Sequence, residues 1–197
     1  MIRYYTILCE DLQAYVFLHR ALVQSGANGR NIYKQPFPDA RGSNHRTVDG
    51  YLVYACGSQH VRMNFPQALA KLRVQNAKRR AALVVHIDVD NESADGRTVG
   101  DRVRELNDAC RSVNVPDRRQ DDPVALMIPR RNIETWIHFF LSGPPVNEWL
   151  EYPRLRGHEA DCQPAAEAFA DHARARIQPP DAPASLIVGL EEFARVL

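Results

Sequence analysis

The sequence predicts an α/β protein: a mainly parallel central sheet flanked by helices, closed by helices at the C-terminal end. Three observations carry this. The run "IRYYTILC" (residues 2 to 9) is β-branched and aromatic, as strands prefer, and at Asp11 its pattern gives way to a helical period. The run "ALVVHI" (82 to 87) is nearly continuous in apolar residues, as expected of a strand covered on both faces. A short apolar run, "PVALMIP" (123 to 129), is again followed by a helical pattern. Strands alternating with helices in this way build parallel βαβ units.

The elements follow in order. After the first strand, Tyr15, Leu18, Ala21 and Leu22 fall on one helical face, which ends at Ser25-Gly26. Residues 31 to 57 are mixed, broken by Pro36, Pro38 and the Gly42-Ser43-Asn44 turn, with "YLVYAC" (51 to 56) as a strand. A helix is expected to start at Asn64 or Pro66 and to pass through Leu69 and Leu72. It ends on Lys78, Arg79 and Arg80, where the helix dipole favours cations. The strand 82 to 89 and a polar loop come next. Thr98 and Asp101 then form the ends of a capping box for a helix with Val99, Val103, Leu106 and Cys110 along one stripe. Asn132 stands where it caps a helix carrying Ile133, Trp136, Ile137 and Phe140, with Trp136 and Phe140 read as core. A short helix is expected near Val146 to Leu150. Pro164 and Pro183 stand where helix N1 prolines stand, opening helices over 164 to 177 and 183 to 196. The chain divides into an α/β domain, 1–142, and a helical C-terminal extension, 143–197.

Composition narrows the function classes. The 197 residues are 45% hydrophobic, enough for one real core, and carry a net charge of only +1, so any polyanion site must be a local patch. The four cysteines (Cys9, Cys56, Cys110, Cys162) form no CxxC pair and read as reduced core residues of a cytoplasmic protein. No apolar run is long enough to span a membrane, and the N-terminus has no leader pattern. Neither GxxxxGK[ST] nor GxGxxG occurs, which argues against a P-loop ATPase or a dinucleotide enzyme, and Ser58 lacks the flanking glycines of a hydrolase elbow.

The chemistry concentrates in "HIDVDNE". Side chains alternate along a strand, so Asp88 and Asp90 share a face about 7 Å apart. Open α/β sheets bind ligands beyond the carboxyl ends of their strands. Glu10 follows the first strand directly, and it reaches the same edge if the first and third predicted strands are parallel neighbours. Two carboxylates 4 Å apart repel by about 4 kcal/mol at an effective dielectric near 20, so one takes a proton or a cation sits between them. Hard oxygen ligands of this kind suit Mg²⁺. Asp and Asn also make turns at strand ends, and a solvated turn is the plain alternative. His86 shares the face of Asp88 and reads as a satisfied core histidine. Arg130 and Arg131, after the fourth predicted strand, lie at the same edge, where guanidinium groups hold phosphate; the alternative is a pair of solvated loop arginines. Glu134 lies in a first helical turn, where the dipole by itself favours an acid.

Taken together, "TILCEDLQAYVFLHRAL", "LVVHIDVDNE" and "MIPRRNIETWIHFFL" resemble the Toprim domain of topoisomerases, bacterial primases and overcoming-lysogenization-defect nucleases, and in particular small stand-alone Toprim-like proteins. The resemblance covers residues 1 to 142. It implies a Toprim-like Rossmannoid fold, with Mg²⁺ (or Mn²⁺) held by Glu10, Asp88 and Asp90, and with Glu92 as a further acid. It implies Mg²⁺-dependent cleavage of phosphodiester bonds in DNA or RNA, Glu10 transferring a proton and Arg130 or Arg131 positioning the phosphate. A separately encoded ATPase partner, of ABC or AAA type, is also implied. Many Toprim domains carry Gly after the motif Glu; here Asp11 stands there, a residue that also caps helices. Two other readings stay open. One is a non-catalytic Toprim-like module that binds nucleic acid or a protein; the other is a glycosyltransferase whose D-x-D holds a nucleotide-sugar through Mn²⁺.

Overall fold

The structure, a computed structural model, describes residues 2, 4–34, 46–48, 51–53, 57–89 and 96–197. Its centre is a four-stranded, all-parallel sheet. Strand β1 (Tyr4–Leu8) leads into helix α1 (Leu12–Gln24), and β2 (Ile32–Lys34) follows a short 3₁₀ turn. Strands β3 (Arg46–Val48) and β4 (Tyr51–Val53) form a separate antiparallel pair. Then come α2 (Gly57–Asn76), β5 (Ala81–His86), α3 (Val99–Ser112), β6 (Val124–Met127), α4 (Ile133–Ser142), α5 (Gln163–Ala175) and α6 (Ala184–Ala194). The main sheet runs β2-β1-β5-β6. Tyr4 pairs with Ala81 and Leu8 with Val85 in parallel register, and Leu83 to His86 pair with Val124 to Met127.

Alternation along the strands splits the core in two. Tyr5, Ile7, Ala82, Val84, Ala125 and Met127 face a cluster built by α1, α4, α5 and α6. Leu8, Leu83, Val85, Leu126 and Ile128 face a second cluster under α2 and α3. Both faces of the sheet are thus covered, which explains the unbroken apolar run in β5, buried at all six positions. Helix α1 buries far more than one stripe, because the sheet lies on one side of it and α5 packs on another. Residues on both sides of Ser142 share this core. Trp136, 0% exposed, stacks on Phe169 of α5 at 5.9 Å, and its ring N–H donates to the Ser185 hydroxyl at 3.0 Å. Gly189 of α6 makes room for it: a Cβ there would press into the Trp136 ring, 2.9 Å from Cζ3.

The capping box at α3 is present in full, Thr98 Oγ1 accepting from the Asp101 N–H and Asp101 accepting from the Thr98 N–H. Other expectations are corrected. Helix α2 starts at Gly57 rather than at Asn64 or Pro66, and Pro66 lies inside it. A helix survives one such lost hydrogen bond when its apolar side is packed, and here Val61, Phe65, Leu69 and Leu72 are buried against the sheet. Residues 32 to 34, read only as part of a mixed segment, form the edge strand β2. No helix forms at 146 to 150, where turns are held by side-chain bonds to the main chain. Asn132 does stand before α4, but its side chain makes no cap; it donates to the Tyr152 carbonyl and accepts from Thr135 instead. Pro183 is the residue before α6, not its first. Cys9, Cys110 and Cys162 are buried free thiols, and Cys56 lies outside the described residues. Among the described residues no helix is long and apolar enough to cross a membrane.

Candidate functional site

All four strands of the main sheet run the same way, so the segments that leave β1, β5 and β6 emerge at one edge. The ladder continues past the last residue of β5: Ile87 N donates to Met127 O at 3.2 Å and Val89 N to Pro129 O at 3.0 Å. Asp88 is therefore held in extended backbone at the carboxyl end of the strand, and parity turns it and His86 towards the α1/α4 face. Glu10, two residues beyond the end of β1, completes the contact. Its Oε1 accepts the main-chain N–H of Asp88 at 3.0 Å, across 78 positions of sequence. Both acids are buried, Glu10 at 7% and Asp88 at 3% exposure. Asp11 caps α1 by accepting from the Ala14 N–H at 2.8 Å.

His86 is fully buried, with Nε2 3.1 Å from Asp88 Oδ1. The ring N–H is poorly aligned for a hydrogen bond, so the contact is chiefly one of charge. Burial alone would lower the His86 pKa; the Asp88 carboxylate, with Asp11 and Glu10 behind it, outweighs that and pushes it up to about 9. His86 is a core histidine as expected, paired with Asp88 through Nε2, while among the described residues its Nδ1 has no hydrogen-bond partner.

Glu134, in the first turn of α4, is 2% exposed, and neither of its carboxylate oxygens has a well-formed hydrogen bond to a described residue. Burial pushes its pKa up to about 7 and the Asp11 charge adds to this. The approach of its own main-chain N–H draws it back in part, Asp88 adds again, and Arg154 offsets a little more. Glu134 stands in the first turn of α4, as the helix dipole favours, and is buried as well. A buried carboxyl that senses Asp11 and Asp88 belongs to the acidic cluster.

Arg102 was not singled out from the sequence. It is 0% exposed and grips the end of β5 from the α3 side, donating to Asp88 O at 2.7 Å and Val89 O at 3.4 Å. Its third group meets Glu105 at 2.8 Å, and Glu105 also meets Arg62 of α2 and Arg97. The signal lay in the spacing, since Arg102 stands between Val99 and Leu106 on the stripe that faces the sheet.

Arg130 and Arg131 leave β6 towards α4. Arg131 meets Glu151 at 3.2 Å, and the Arg130 guanidinium lies 3.5 Å from the centre of the Trp149 ring. Asp90 and Glu92 lie outside the described residues. Among the described residues no three His, Cys, Asp or Glu side chains converge closely enough to enclose a metal ion by themselves. The donors present are nevertheless of the right kind. Glu10, Asp88 and Glu134 are buried carboxyls, the hard oxygen donors that a divalent cation takes, but these three do not converge into one set of ligands. A cavity of about 300 Å³ lies apart from this edge, lined by His172, Arg176, Ile177 and Leu190 between α5 and α6. Compared with family models, with curated proteins and with solved structures, the chain matches none.

Proposed function

We propose that the protein is a Mg²⁺-dependent nuclease of Toprim type, cleaving phosphodiester bonds in DNA or RNA at this acidic edge. One observation carries the reading: Glu10 and Asp88, acids from the ends of two different strands, meet through the 3.0 Å bond between the Glu10 carboxylate and the Asp88 N–H. A turn-forming Asp at a strand end does not call for a buried Glu from another strand beside it. Glu10, Asp88 and Asp90 hold the cation in this reading, with Glu92 as a further acid. When bound, the cation supplies positive charge for the phosphate oxygens and acidifies a water.

The remaining work falls to side chains. Glu10 is steadied through Oε1, which fixes the plane of its carboxylate for proton transfer. Arg130, stacked on Trp149, presents its guanidinium edge to a phosphate. Arg131, tied to Glu151, adds positive charge next to it. Burial of Glu10, Asp88 and Glu134 lowers the local dielectric and strengthens each of these interactions. The reading extends to an ATPase partner of ABC or AAA type, encoded separately, and to a reduced cytoplasmic setting, in keeping with three buried free thiols.

A second reading rests on His86. A buried imidazolium 3.1 Å from Asp88 already neutralises one acid without a metal, as a non-catalytic binding module would require. Labelled single- and double-stranded DNA and RNA, with Mg²⁺ or Mn²⁺ and with or without an ATPase encoded beside this protein, separate the two. The nuclease reading expects Glu10→Gln to bind as the wild type does and to cleave about 10²–10⁴-fold more slowly, the usual worth of a proton-transfer group. Binding without cleavage under every condition, the same for both proteins, favours the module.

A further inference from the structure

Beside the acids, residues 147 to 152 form a strap along the loop between β6 and α4. Asn147 Oδ1 accepts from Trp149 N at 2.9 Å, and Asn147 N donates to the Tyr152 hydroxyl at 3.0 Å. Glu148 accepts from Ser185 N at 2.9 Å, which ties the strap to the start of α6. Asn132 donates to Tyr152 O at 3.2 Å and Arg131 meets Glu151, which tie it to the start of α4. Held in this way, Trp149 is 37% exposed and carries Arg130 on its ring. His138 stacks on Tyr152 at 4.5 Å on the same side of α4.

Arg130 is unusual among the arginines at this edge. It is held through its flat face alone; its guanidinium makes no hydrogen bond to a described residue, and its Nε is buried without a partner. Arg131 and Arg102, by contrast, are both bonded to acceptors. A guanidinium carries five N–H donors in a plane, and stacking leaves that plane's edge ready for an anion. The loop that carries Arg130 leaves β6 at the edge where the segments after β1 and β5 carry Glu10 and Asp88, and it leads within four residues to Glu134. An exposed indole with an arginine on its face is also a surface on which an unpaired base stacks, since every base has a π-face. A base inside a duplex is stacked on its neighbours and cannot use it.

We propose that Trp149 and Arg130 form a stacking and phosphate-binding platform that selects single-stranded nucleic acid for the neighbouring acidic site. The assignment deepens the nuclease reading and rests on it for the chemistry, although the platform binds whether or not the site cleaves. The shared ligand chemistry is an unpaired base next to a phosphodiester, from DNA or RNA.

The test uses the whole chain. Its two tryptophans differ in setting, Trp136 being fully buried and Trp149 exposed, so quenching of the intrinsic fluorescence reports on Trp149. Short oligothymidylate, short oligouridylate and a blunt duplex, each carrying a dye, are titrated in EDTA, so that binding is read apart from cleavage. Affinity is read from the anisotropy of the dye, in the Trp149 variants as in the wild type, and quenching places the strand at Trp149 in the wild type. The expected result is quenching by one or both unpaired strands and little by the duplex. Trp149→Ala weakens binding of the unpaired strand about tenfold, while Trp149→Phe, which keeps a ring, stays within about threefold of wild type. Arg130→Ala lowers the salt dependence by about one phosphate contact. Comparison of the two arms says whether the strand is DNA or RNA. Equal affinity for strands and duplex, or an unchanged affinity in Trp149→Ala, overturns the platform and leaves the nuclease reading standing if cleavage is seen with Mn²⁺. Platform binding with no cleavage under any condition supports this proposal and removes the nuclease. No binding to any of the three ligands overturns the platform outright.

Discussion

Glu134 sits in an environment that a carboxylate avoids, buried beside other acids. A carboxyl in the unfolded chain loses its proton near its ordinary value of 4.5, whereas in the fold it holds it to about pH 7. Below both values the proton is bound in both states and Glu134 makes no difference. Between them the native state binds a proton that the unfolded chain has released, so stability falls as pH rises through this window. Above pH 7 the accumulated loss is about 3 kcal/mol by the usual conversion of a pKa shift. Glu134→Gln, neutral throughout, is expected to flatten the stability profile between pH 4.5 and 7 in metal-free buffer, measured by urea unfolding at several pH values. An unchanged slope means that Glu134 reaches water or a cation. His86 acts in the next window. Its folded pKa is raised, so the stability from its pairing with Asp88 is fully present below pH 6.5 and is lost as pH rises through about 9.

At the scale of elements, the end of β5 is held from both sides. Glu10 accepts the N–H of Asp88 and Arg102 donates to its carbonyl, so the main chain at the acid is fixed at both polar groups. Arg102→Met removes two bonds to carbonyls in a buried setting and is expected to cost about 3 kcal/mol. Glu105 keeps Arg62 and Arg97, so the cost comes from the strand end rather than from a stranded acid. Urea unfolding measures it, and a loss below about 1 kcal/mol would show that water takes over these carbonyls. Whatever patterns locally was legible in the sequence: the apolar run of β5, the Thr98–Asp101 box and the strand end at Asp88. The sequence also pointed to Glu10 and Asp88 on one edge, because parallel order follows from strand–helix alternation. What it hid depends on partners far away in the chain. Helix α2 runs through Pro66 because the sheet packs its apolar side, and β2 is a strand because β1 lies beside it. Asn132 leaves its cap to hold the strap, and Arg102 looks like a surface arginine until the strand end that it grips is in place.

For the molecule as a whole, the parallel sheet gathers negative charge at one edge. Glu10 and Asp11 come from the end of β1 and the start of α1, Asp88 from the end of β5, and Glu134 from the start of α4. The fold bears their mutual repulsion, and among the described residues His86, Arg154 and Arg102, which donates to the Asp88 carbonyl, offset part of it. A divalent cation that joins this edge binds the native state and not the unfolded chain, so it must raise stability, by about 2.7 kcal/mol at a hundred times its dissociation constant. Mn²⁺ is therefore expected to raise the melting temperature of the wild type in a saturable manner. Asp88→Asn removes one carboxylate charge and one hard oxygen donor from the edge; it should melt below wild type in EDTA, because the buried His86 loses the charge it is paired with. It should gain little from Mn²⁺. The same gain in both proteins would place the cation elsewhere and leave the Asp88–His86 pair as a closed structural unit. A gain lost in Asp88→Asn and kept in Arg130→Ala would tie the cation to the acids rather than to the phosphate-binding side of the edge.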